Sequence, residues 1–427
     1  MYRSLLLFFV AVLVPATAIA QKKFVPNYDE ANIPTFQLPD PLVAESGDAI
    51  TDPQAWGERR RPELLKLFEQ QVYGRGPAPC EISHRVVSTN EQAVGGKAIR
   101  REVDVFFGKR DSAPSMQLLI YSPKGSKPVG AFLGLNFQGN HTVDTDPAIQ
   151  LNTEWVRNRK GTTEGNKSSE ASRGVASSRW PVEKIIDRGY ALVTIYYGDI
   201  DPDFDDGFQN GIHGHFKSKT EAIPQGEKWG SIAAWSYGLS RALDYLETDP
   251  KIDGSRVAVI GHSRLGKTSL WAGATDTRFK MVISNDSGCG GAALSRRAIG
   301  ETVGRINTSF PHWFCDNFVQ YNENENACPV DQHELIALIA PRAVYVASAT
   351  LDKWADPKGE FLACVNADPV YRLLGTNGLG GSKPPAKQPA ADTPIKTGAI
   401  GYHLRTGKHD LAEYDWSQYL DFADLHL

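Results

Sequence analysis

The sequence predicts an α/β fold in three layers, with a mostly parallel central sheet between two layers of helices. Short apolar runs alternate with segments of helical spacing, which is typical of a sheet wound with crossover helices. One β-branched run, residues 256–260, breaks at Gly261 and restarts as a helix with Ser263 at the corner. In sheets of this kind the ligand binds beyond the carboxyl ends of the strands. We therefore expect the functional site at that edge, beside Ser263.

The predicted strands follow one another along the chain and are separated by turns, helices or long polar stretches. We expect strands at residues 98–107, 116–121, 129–137, 189–197, 256–260, 281–285 and 343–349. Apolar residues at helical spacing predict helices at residues 232–246 and 411–425. Polar stretches predict insertions over the carboxyl edge of the sheet at residues 139–182, 200–230 and 375–400.

The N-terminal 20 residues have the layout of a secretory signal peptide: a single cation, an apolar run, and small residues at Ala18 and Ala20. A membrane anchor is the weaker alternative, because Pro15 interrupts the run and no later stretch is long enough to span a bilayer. We expect cleavage near Ala20 and an exported chain. Residues 21–95 are then an arm with the first helices, which wrap a single catalytic domain of residues 96–427.

Charge and cysteine content exclude some classes of protein. The formal net charge is -4, and no basic stripe with interleaved aromatic residues is present, so nucleic acid is not an expected partner. We expect a monomer with no membrane contact after cleavage of the signal. Five cysteines are too few for a disulfide scaffold. Their spacing leaves open two pairs, Cys315 with Cys328 and Cys289 with Cys364, and Cys80 is the odd one.

Ser263 has the sequence context of a catalytic nucleophile. A sharp strand-to-helix turn exposes a serine hydroxyl and places backbone N–H groups beside it. The second glycine, Gly266, comes one residue later than in the familiar Gly-x-Ser-x-Gly pattern, so an ordinary helix-capping serine is the alternative. Arg264 and Lys267 occupy the first helical turn, where the helix dipole disfavours each cation by ~0.3 to 1 kcal/mol. These two charges favour a negative or oxygen-rich ligand and, with the serine, predict acyl transfer.

Several histidines compete for the role of general base. His409 lies in a loop between the last strand-like run and the C-terminal helix, where such a base is found. His403 lies within that run and is expected to be packed, and His262 is expected to point to the other side of the turn. His213 and His215 could bind a metal, but no third ligand has the right spacing, so a solvated loop is favoured. We predict His409 as the base.

Two aspartates are candidates for the acid that orients His409. Asp352 follows the strand at residues 343–349, and Asp286 follows the strand at residues 281–285. The chain order serine, acid, histidine favours Asp352. Asp286 could share the role, because two carboxylates near one imidazolium both raise its pKa.

Four segments resemble the glucuronoyl esterases of carbohydrate esterase family 15, in particular their bacterial branch. These are residues 261–267, 285–297, 352–357 and 408–410, and the resemblance extends over about residues 95–427. It implies an α/β-hydrolase fold and hydrolysis of the ester between a lignin alcohol and the carboxyl group of 4-O-methylglucuronate on xylan. Glucuronoxylan and lignin-carbohydrate esters are then the partners, and no metal or organic cofactor is expected.

The resemblance also implies roles for single residues. Ser263 matches the nucleophile, His409 matches the base, and Arg264 matches the side chain that supplements the oxyanion hole. Three further positions match those that bind the ring and hydroxyls of the uronate: Lys267, Glu301 and Trp354. A lysine one helical turn after the nucleophile can donate to sugar oxygens, and an indole offers a flat surface to a sugar ring.

The chain departs from the family pattern at two places. Fungal members carry bridged cysteines next to the nucleophile and the base, where this chain has His262 and Asp410. Many members carry glutamate at the position of Asp286, and the shorter aspartate strengthens Asp352 as the orienting acid. The alternatives to a glucuronoyl esterase are an exported acetyl xylan or other carbohydrate esterase on the same fold and a catalytically silent carbohydrate-binding protein.

Overall fold

The computed structural model describes residues 24–110 and 112–427, so the predicted signal peptide lies outside the described residues. The strands are β1 (Ser83–Ala93), β2 (Ala98–Phe106), β3 (Ser115–Pro123), β4 (Val129–Asn136), β5 (Thr163–Glu164), β6 (Lys167–Ser168), β7 (Ala191–Tyr196), β8 (Ile252–His262), β9 (Met281–Asn285), β10 (Ala343–Ala349) and β11 (Ile400–Arg405). Nine of them form one sheet in the order β1-β2-β3-β7-β4-β8-β9-β10-β11, and β5 pairs with β6. The strands from β7 to β11 run parallel, and β1, β2 and β3 add an antiparallel edge.

Helices cover both faces of the sheet. They are α1 (Pro53–Ala55), α2 (Arg61–Gln71), α3 (Val182–Asp187), α4 (His213–Thr220), α5 (Ser231–Leu246), α6 (Arg264–Thr275), α7 (Val303–Ser309), α8 (Gln332–Ala337), α9 (Pro357–Leu373) and α10 (Glu413–His426). Helices α5 and α6 pack on β8, while α3 packs on β3 and β7 and α10 packs on β9, β10 and β11. The predicted α/β class with a mostly parallel sheet between helices is confirmed.

Alternation along β8 divides the core between the two faces. Val257 and Val259 belong to the larger core, which includes the apolar residues of α5 and α6. Ala258 and Ile260 belong to the second core, which includes Trp416 of α10. All four residues are buried, so β8 is apolar on both faces over Val257–Ile260, as expected for a parallel strand covered on both sides.

The seven predicted strands all form; β9 and β10 have the predicted bounds, and the ends of the other five differ by one to four residues. The largest difference is at the elbow strand, which was predicted at 256–260 and extends over 252–262 as β8. The helix predicted at 232–246 is α5, and the helix predicted at 411–425 begins two residues later as α10. The stretches predicted as insertions contain the β5–β6 hairpin and α4, and residues 375–400 hold no helix.

The five cysteines are all free, so neither pair that the spacing left open is formed. Cys289 lies 4.0 Å from the Ser295 hydroxyl, and the Cys315 thiol donates to the Gln70 carbonyl. Burial raises the pKa of Cys315 to about 12, which keeps that thiol protonated. Within the described part of the chain, no helix has the length and apolar character needed to cross a membrane.

Candidate active site

Ser263 stands at the corner between β8 and α6 in a strained conformation. Its φ and ψ are 59° and -129°, a region that residues other than glycine rarely adopt and that recurs at functional sites. A Cβ atom at Gly261 would clash with the Leu265 carbonyl, and one at Gly266 would lie 2.9 Å from the Cβ of Ser287. The two glycines therefore let the chain turn tightly and let α6 approach the loop after β9.

The first turn of α6 offers a donor for a developing negative charge. The N–H of Arg264, the residue after the serine, has no hydrogen-bond acceptor among the described residues, as expected for the first position of a helix. The Ser263 N–H, in contrast, donates to the Asn285 carbonyl at 2.8 Å. The Arg264 N–H is therefore the backbone donor available beside the hydroxyl.

His409 is oriented by Asp352. The two side chains are 2.6 Å apart between Nδ1 and Oδ2, and because a carboxylate can only accept, Nδ1 carries the proton. The Asp352 side chain is 5% exposed and that of His409 is 42% exposed. In a neutral imidazole Nε2 is then the acceptor, and His409 and Ser263 line the same cavity of about 430 Å³. Among the described residues, no hydrogen bond joins Ser263 to His409; such bonds often tighten only when substrate is bound.

Asp286 is close to the same pair but has different partners. Its carboxylate, Asp352 and a ring nitrogen of His409 lie within 4.8 Å of one another. Asp286 Oδ2 accepts the N–H of Asp410 at 3.2 Å, while Oδ1 is buried with no hydrogen-bond partner in residues 24–110 and 112–427. Burial, followed by the charges of Glu360, Asp352 and Asp415, raises the pKa of Asp286 well above its usual value. The direct bond to His409 therefore belongs to Asp352.

Behind these acids, Glu360 of α9 holds the loop that follows β9. Its Oε1 accepts the N–H groups of Ser287 at 2.8 Å and Gly288 at 3.0 Å, and its Oε2 accepts the Ser348 hydroxyl at 2.6 Å. Burial outweighs these hydrogen bonds and raises the pKa of Glu360 to about 8. The folded state therefore favours the protonated carboxyl.

We expect the stability of the fold to decrease with rising pH partly because of Glu360. Its pKa is near 4.3 in an unfolded chain and about 8 in the fold, so the folded state binds more protons between these values. The stability contributed by the protonated carboxyl is complete below about pH 4.3 and is lost as the pH rises through 8. Glu360→Gln should flatten the dependence of Tm on pH between 5 and 8. An unchanged slope in the variant would contradict this role.

Arg264 is held by a single buried carboxylate. Asp203, whose side chain is fully buried, forms a short ion pair with Nη1 of Arg264. Asp203 also accepts His312 at 3.0 Å, the Trp313 indole N–H at 2.8 Å and the Tyr197 hydroxyl at 3.0 Å. Burial alone would raise the pKa of Asp203, but the hydrogen bond from His312 and the charge of Arg264 outweigh it and hold the pKa well below its usual value. Asp203 is therefore a fixed anion.

Aromatic rings surround the guanidinium on its other sides. Its central carbon lies 4.8 Å from the ring centre of Trp313, 5.5 Å from that of Phe310 and 5.6 Å from that of Phe137. Phe310 and Trp313 are stacked at 3.8 Å. Aromatic faces attract cations, so these three rings hold the guanidinium of Arg264 in place. They also cover most of its surface from water.

Lys267 lines the same cavity as Ser263, and its ammonium group is bonded to the loop after β9 and to Glu301. Its Nζ is bonded to the carbonyls of Ser287 at 2.7 Å and Cys289 at 2.5 Å, and to Glu301 Oε2 at 3.2 Å. An ammonium group has three protons, so all of them are engaged by the protein. The side chain is 3% exposed. Lys267 thus fixes the position of Glu301, whose other carboxylate oxygen is available to the cavity.

Trp354 and Glu301 line the same cavity as Ser263. Phe24 packs edge-on against Trp354 at 6.1 Å, and the Arg305 guanidinium lies over the Phe24 ring at 5.5 Å. The Gly300 N–H donates to the Asn27 carbonyl at 2.8 Å. The N-terminal segment therefore braces the outer wall of the cavity.

The predicted orientation of His262 is wrong. Its ring faces His409, with 4.5 Å between ring centres, and Nδ1 lies 2.6 Å from Asn285 Oδ1. The left-handed φ of Ser263 reverses the chain within one residue, so strand alternation does not hold at the corner. Burial, followed by the charge of His409, lowers the pKa of His262 well below its usual value, so this ring packs against the His409 ring as a neutral group.

The remaining candidate histidines lie elsewhere. His403 is fully buried, with Nε2 2.8 Å from Asp415 and Nδ1 3.0 Å from the Tyr345 hydroxyl. His213 contacts Asp201 and the Trp229 carbonyl, and His215 contacts the Phe107 carbonyl. The donor groups of these two residues therefore serve structural hydrogen bonds.

Sequence reasoning did not find Asp203 or the rings around Arg264. Asp203 lies 61 residues before Arg264, in an acidic stretch without periodicity, and Trp313 lies 49 residues after it. One signal in the sequence pointed to such an anion. A positive charge in the first turn of a helix, as at Arg264, is unfavourable unless an anion compensates it.

The chain is similar in sequence and in fold to known carbohydrate esterases. A sequence model described as glucuronyl esterase, fungi, matches residues 215–375. A carbohydrate esterase from an unknown prokaryotic organism is 55% identical over 94% of this chain and 92% of its own length. A 4-O-methyl-glucuronoyl methylesterase of Wolfiporia cocos is 35% identical over 85% of this chain and 77% of its own length. The solved structure of a glucuronoyl esterase from Solibacter usitatus is 48% identical, covers 93% of this chain and 99% of that one, and has a TM-score of 0.86.

Proposed function

We propose a function on one premise: the chain belongs to the glucuronoyl esterases of carbohydrate esterase family 15. It hydrolyses esters of glucuronic acid or 4-O-methylglucuronic acid through an acyl-enzyme on Ser263. The observation that carries the assignment of residues is the 2.6 Å bond between Asp352 and His409, in the cavity that Ser263 and Arg264 line.

In the first step, Nε2 of His409 takes the proton of the Ser263 hydroxyl while the serine oxygen attacks the ester carbonyl. Negative charge develops on the carbonyl oxygen, and the Arg264 N–H and guanidinium stabilise it. When the tetrahedral intermediate collapses, the bond to the alcohol oxygen breaks and His409 gives its proton to the leaving alcohol. Asp352 stays ionised and stabilises the imidazolium that exists in between.

In the second step, His409 takes a proton from water, and the resulting hydroxide attacks the uronoyl carbon bound to Ser263. The bond to the serine oxygen breaks, and that oxygen recovers the proton from His409. The products are the free uronic acid and the alcohol. In this mechanism Ser263 forms and breaks the covalent bond and His409 moves the protons, while Asp352 and Arg264 stabilise the charges that develop.

The cavity walls favour a uronate over an acetyl group. Glu301 is fixed by Lys267 with one oxygen free to accept sugar hydroxyls, and Trp354 supports one side of the cavity as a flat apolar surface. An acetyl group would leave these groups without partners. We further propose that the substrate is the glucuronoxylan ester of a lignin alcohol. Because residues 1–20 have the layout of a signal peptide, we also propose that the enzyme is exported, and we expect it to act as a monomer.

Two substrates distinguish this proposal from its nearest rival, an acetyl xylan esterase. We expect kcat/KM for methyl glucuronate to exceed that for acetylated xylan by at least about 100-fold, because an acyl site built to bind the hydroxyls of a uronoyl group rejects an acetyl group, which has none. Glu301→Gln should raise KM for methyl glucuronate by about tenfold, equivalent to ~1.4 kcal/mol, with kcat little changed. Preferential hydrolysis of acetylated xylan would overturn the assignment. The alternative of a catalytically silent carbohydrate-binding protein is excluded if the protein hydrolyses any activated ester and loses this activity when its serine is chemically modified.

Asp203 is proposed to act in catalysis by positioning Arg264. Asp203→Asn should lower kcat by about 100-fold, the size of effect seen when one oxyanion donor is lost, while KM changes little. Arg264→Gln should have an effect of the same order. If Asp203 acts through Arg264, the double variant loses no more activity than Arg264→Gln alone. Independent, multiplying losses would show that Asp203 has only a structural role.

A further inference from the structure

The base loop, residues 406–412, connects β11 with α10 and carries His409. The structure describes all seven of its residues, and none of them lies in a helix or a strand. The His409 side chain is 42% exposed, so packing around its ring gives the ring limited support. The position of the ring beside Ser263 therefore depends on the backbone of the base loop.

One buried arginine binds the base loop on both sides of His409. Arg405, the last residue of β11, donates from Nη2 to the carbonyl of Lys408 at 2.8 Å and to that of Asp410 at 3.0 Å. Its Nη1 donates to the Thr406 carbonyl at 3.3 Å. The residues before and after His409 are thus bonded to one guanidinium, whose planar shape fixes the directions of its donors.

The guanidinium is itself fixed by Asp415, in the first turn of α10. Nε of Arg405 lies 3.0 Å from each oxygen of the Asp415 carboxylate. That carboxylate also accepts the N–H of Ala412 at 2.6 Å, and its Oδ1 is 2.8 Å from Nε2 of His403. The side chain of Asp415 is fully buried and that of Arg405 is 8% exposed. Breaking a buried ion pair leaves an uncompensated charge, so Arg405 stays in this arrangement.

Two other side chains hold the base loop, but at one side of His409. Arg179 pairs with the Asp410 carboxylate at 2.7 Å, and 28% and 50% of these two side chains are exposed. Exposed ion pairs fix a segment weakly, because water competes for both groups. Asp286 accepts the Asp410 N–H at 3.2 Å. Both contacts follow His409 in the chain, whereas Arg405 binds residues on either side of it.

Arg405 lies behind the catalytic cavity. The described residues that line the cavity include His409 and Asp286 but not Arg405. Nη2 of Arg405 is 3.8 Å from Asp286 Oδ2, so its charge also acts on that carboxylate. An effect of Arg405 on catalysis therefore passes either through the base loop or through the charge near Asp286.

We propose that Arg405 is a positioning residue of the reaction: it holds the base loop so that Nε2 of His409 meets the Ser263 hydroxyl. The inference rests on the proposed function, which assigns His409 as the base. A displacement of about 1 Å in a reacting group can lower the rate by about 100-fold. Because the uronate binds to other side chains, the effect falls on kcat and not on KM.

Arg405→Lys tests the proposal, because lysine keeps the charge beside Asp286 and Asp415 but has one compact ammonium group in place of the planar fork. It cannot bond to Asp415 and to the carbonyls of both Lys408 and Asp410 in the same geometry. We expect kcat for methyl glucuronate to fall by about 100-fold with KM unchanged, as measured by steady-state kinetics.

The matched control is Arg342→Lys, at the opposite edge of the sheet. Arg342 immediately precedes β10 and donates to the carbonyls of Gly273 at 2.6 Å and Phe279 at 2.9 Å, so it also bonds to two backbone carbonyls. Loss of this fork should lower Tm and leave kcat unchanged. The comparison separates the positioning of the base from general destabilisation.

The proton on Nδ1 of His409 reports the position of the ring directly. Its hydrogen bond to Asp352 should give a downfield ¹H NMR signal, identified by its loss in His409→Gln. We expect Arg405→Lys to broaden or remove this signal through exchange with water, and Arg342→Lys to retain it. A purely structural role of Arg405 would lower Tm without moving this signal.

Normal kcat in a folded Arg405→Lys enzyme overturns the proposal, and so does a lower kcat with an unchanged Nδ1 signal. An equal loss of kcat in Arg342→Lys also overturns it, because the effect is then general. A raised KM with normal kcat would show that Arg405 acts on substrate binding instead.

If Arg405→Lys does not fold, Asp415→Asn takes its place. Asparagine has the same shape but holds the guanidinium without a charge, so we expect kcat to fall by about tenfold with KM unchanged. Normal kcat in this variant would overturn the proposal. Hydrolysis by His409→Gln at the wild-type rate would instead refute the proposed function, since His409 would not be the base.

Discussion

Ser263→Ala is expected to lower kcat on methyl glucuronate by about 10⁶-fold, the loss observed when the nucleophile of a serine triad is removed. The methyl side chain cannot form the acyl-enzyme, and only binding and the oxyanion donors remain. Steady-state kinetics with a sensitive assay of released methanol measures the effect.

The matched control is Ser309→Ala, since Ser309 lines the same cavity but forms no part of the proposed relay. Its kcat should stay close to that of the wild type. Alanine keeps the Cβ atom and the same backbone strain, and the Ser263 side chain makes no capping hydrogen bond, so the Ser263→Ala protein should be about as stable as the wild type. A parallel measurement of Tm excludes misfolding. A Ser263→Ala enzyme of near-normal activity would exclude the serine mechanism.

Asp352→Asn is expected to lower kcat by about 10⁴-fold, because an amide can turn its NH₂ group toward His409 and stabilise the wrong tautomer. The matched variant is Asp286→Asn. The raised pKa of Asp286 favours its neutral form, and asparagine has the same shape as a protonated aspartate, so the expected loss is about tenfold. Kinetics of both variants on one uronate ester makes the comparison, and a larger loss in Asp286→Asn would reverse the assignment of the acid.

The elements that could be predicted are those whose pattern of apolar residues along the sequence matches their burial in the folded protein. Strands β4, β7 and β10 are buried almost throughout, and their continuous apolar sequences show this directly. Strand β1 was not predicted, because most of its residues are exposed or half-buried and its sequence, Ser83–Ala93, is polar. Helix α9 was also not predicted, because it contains Pro369, and a proline within an apolar pattern of helical spacing normally indicates the end of a helix.

In the candidate site, too, some residues could be predicted from the sequence and others could not. Ser263, His409 and Asp352 each follow a strand and could be placed by chain order, because the fold brings the carboxyl ends of parallel strands together. The partners of Arg264 and Lys267 could not be placed, because they depend on how distant loops close over the sheet. Lys267 was expected to face the sugar, but the carbonyls of the loop at 287–289 reach it first.

The central claim is that a uronoyl ester forms on the oxygen of Ser263. Mass spectrometry of the enzyme, quenched with acid during turnover of methyl glucuronate and then digested, tests it most directly. We expect the added mass of one uronoyl group on the peptide that contains Ser263, and no such adduct in Ser263→Ala. An adduct on a different residue, or turnover by Ser263→Ala at the wild-type rate, would contradict the account.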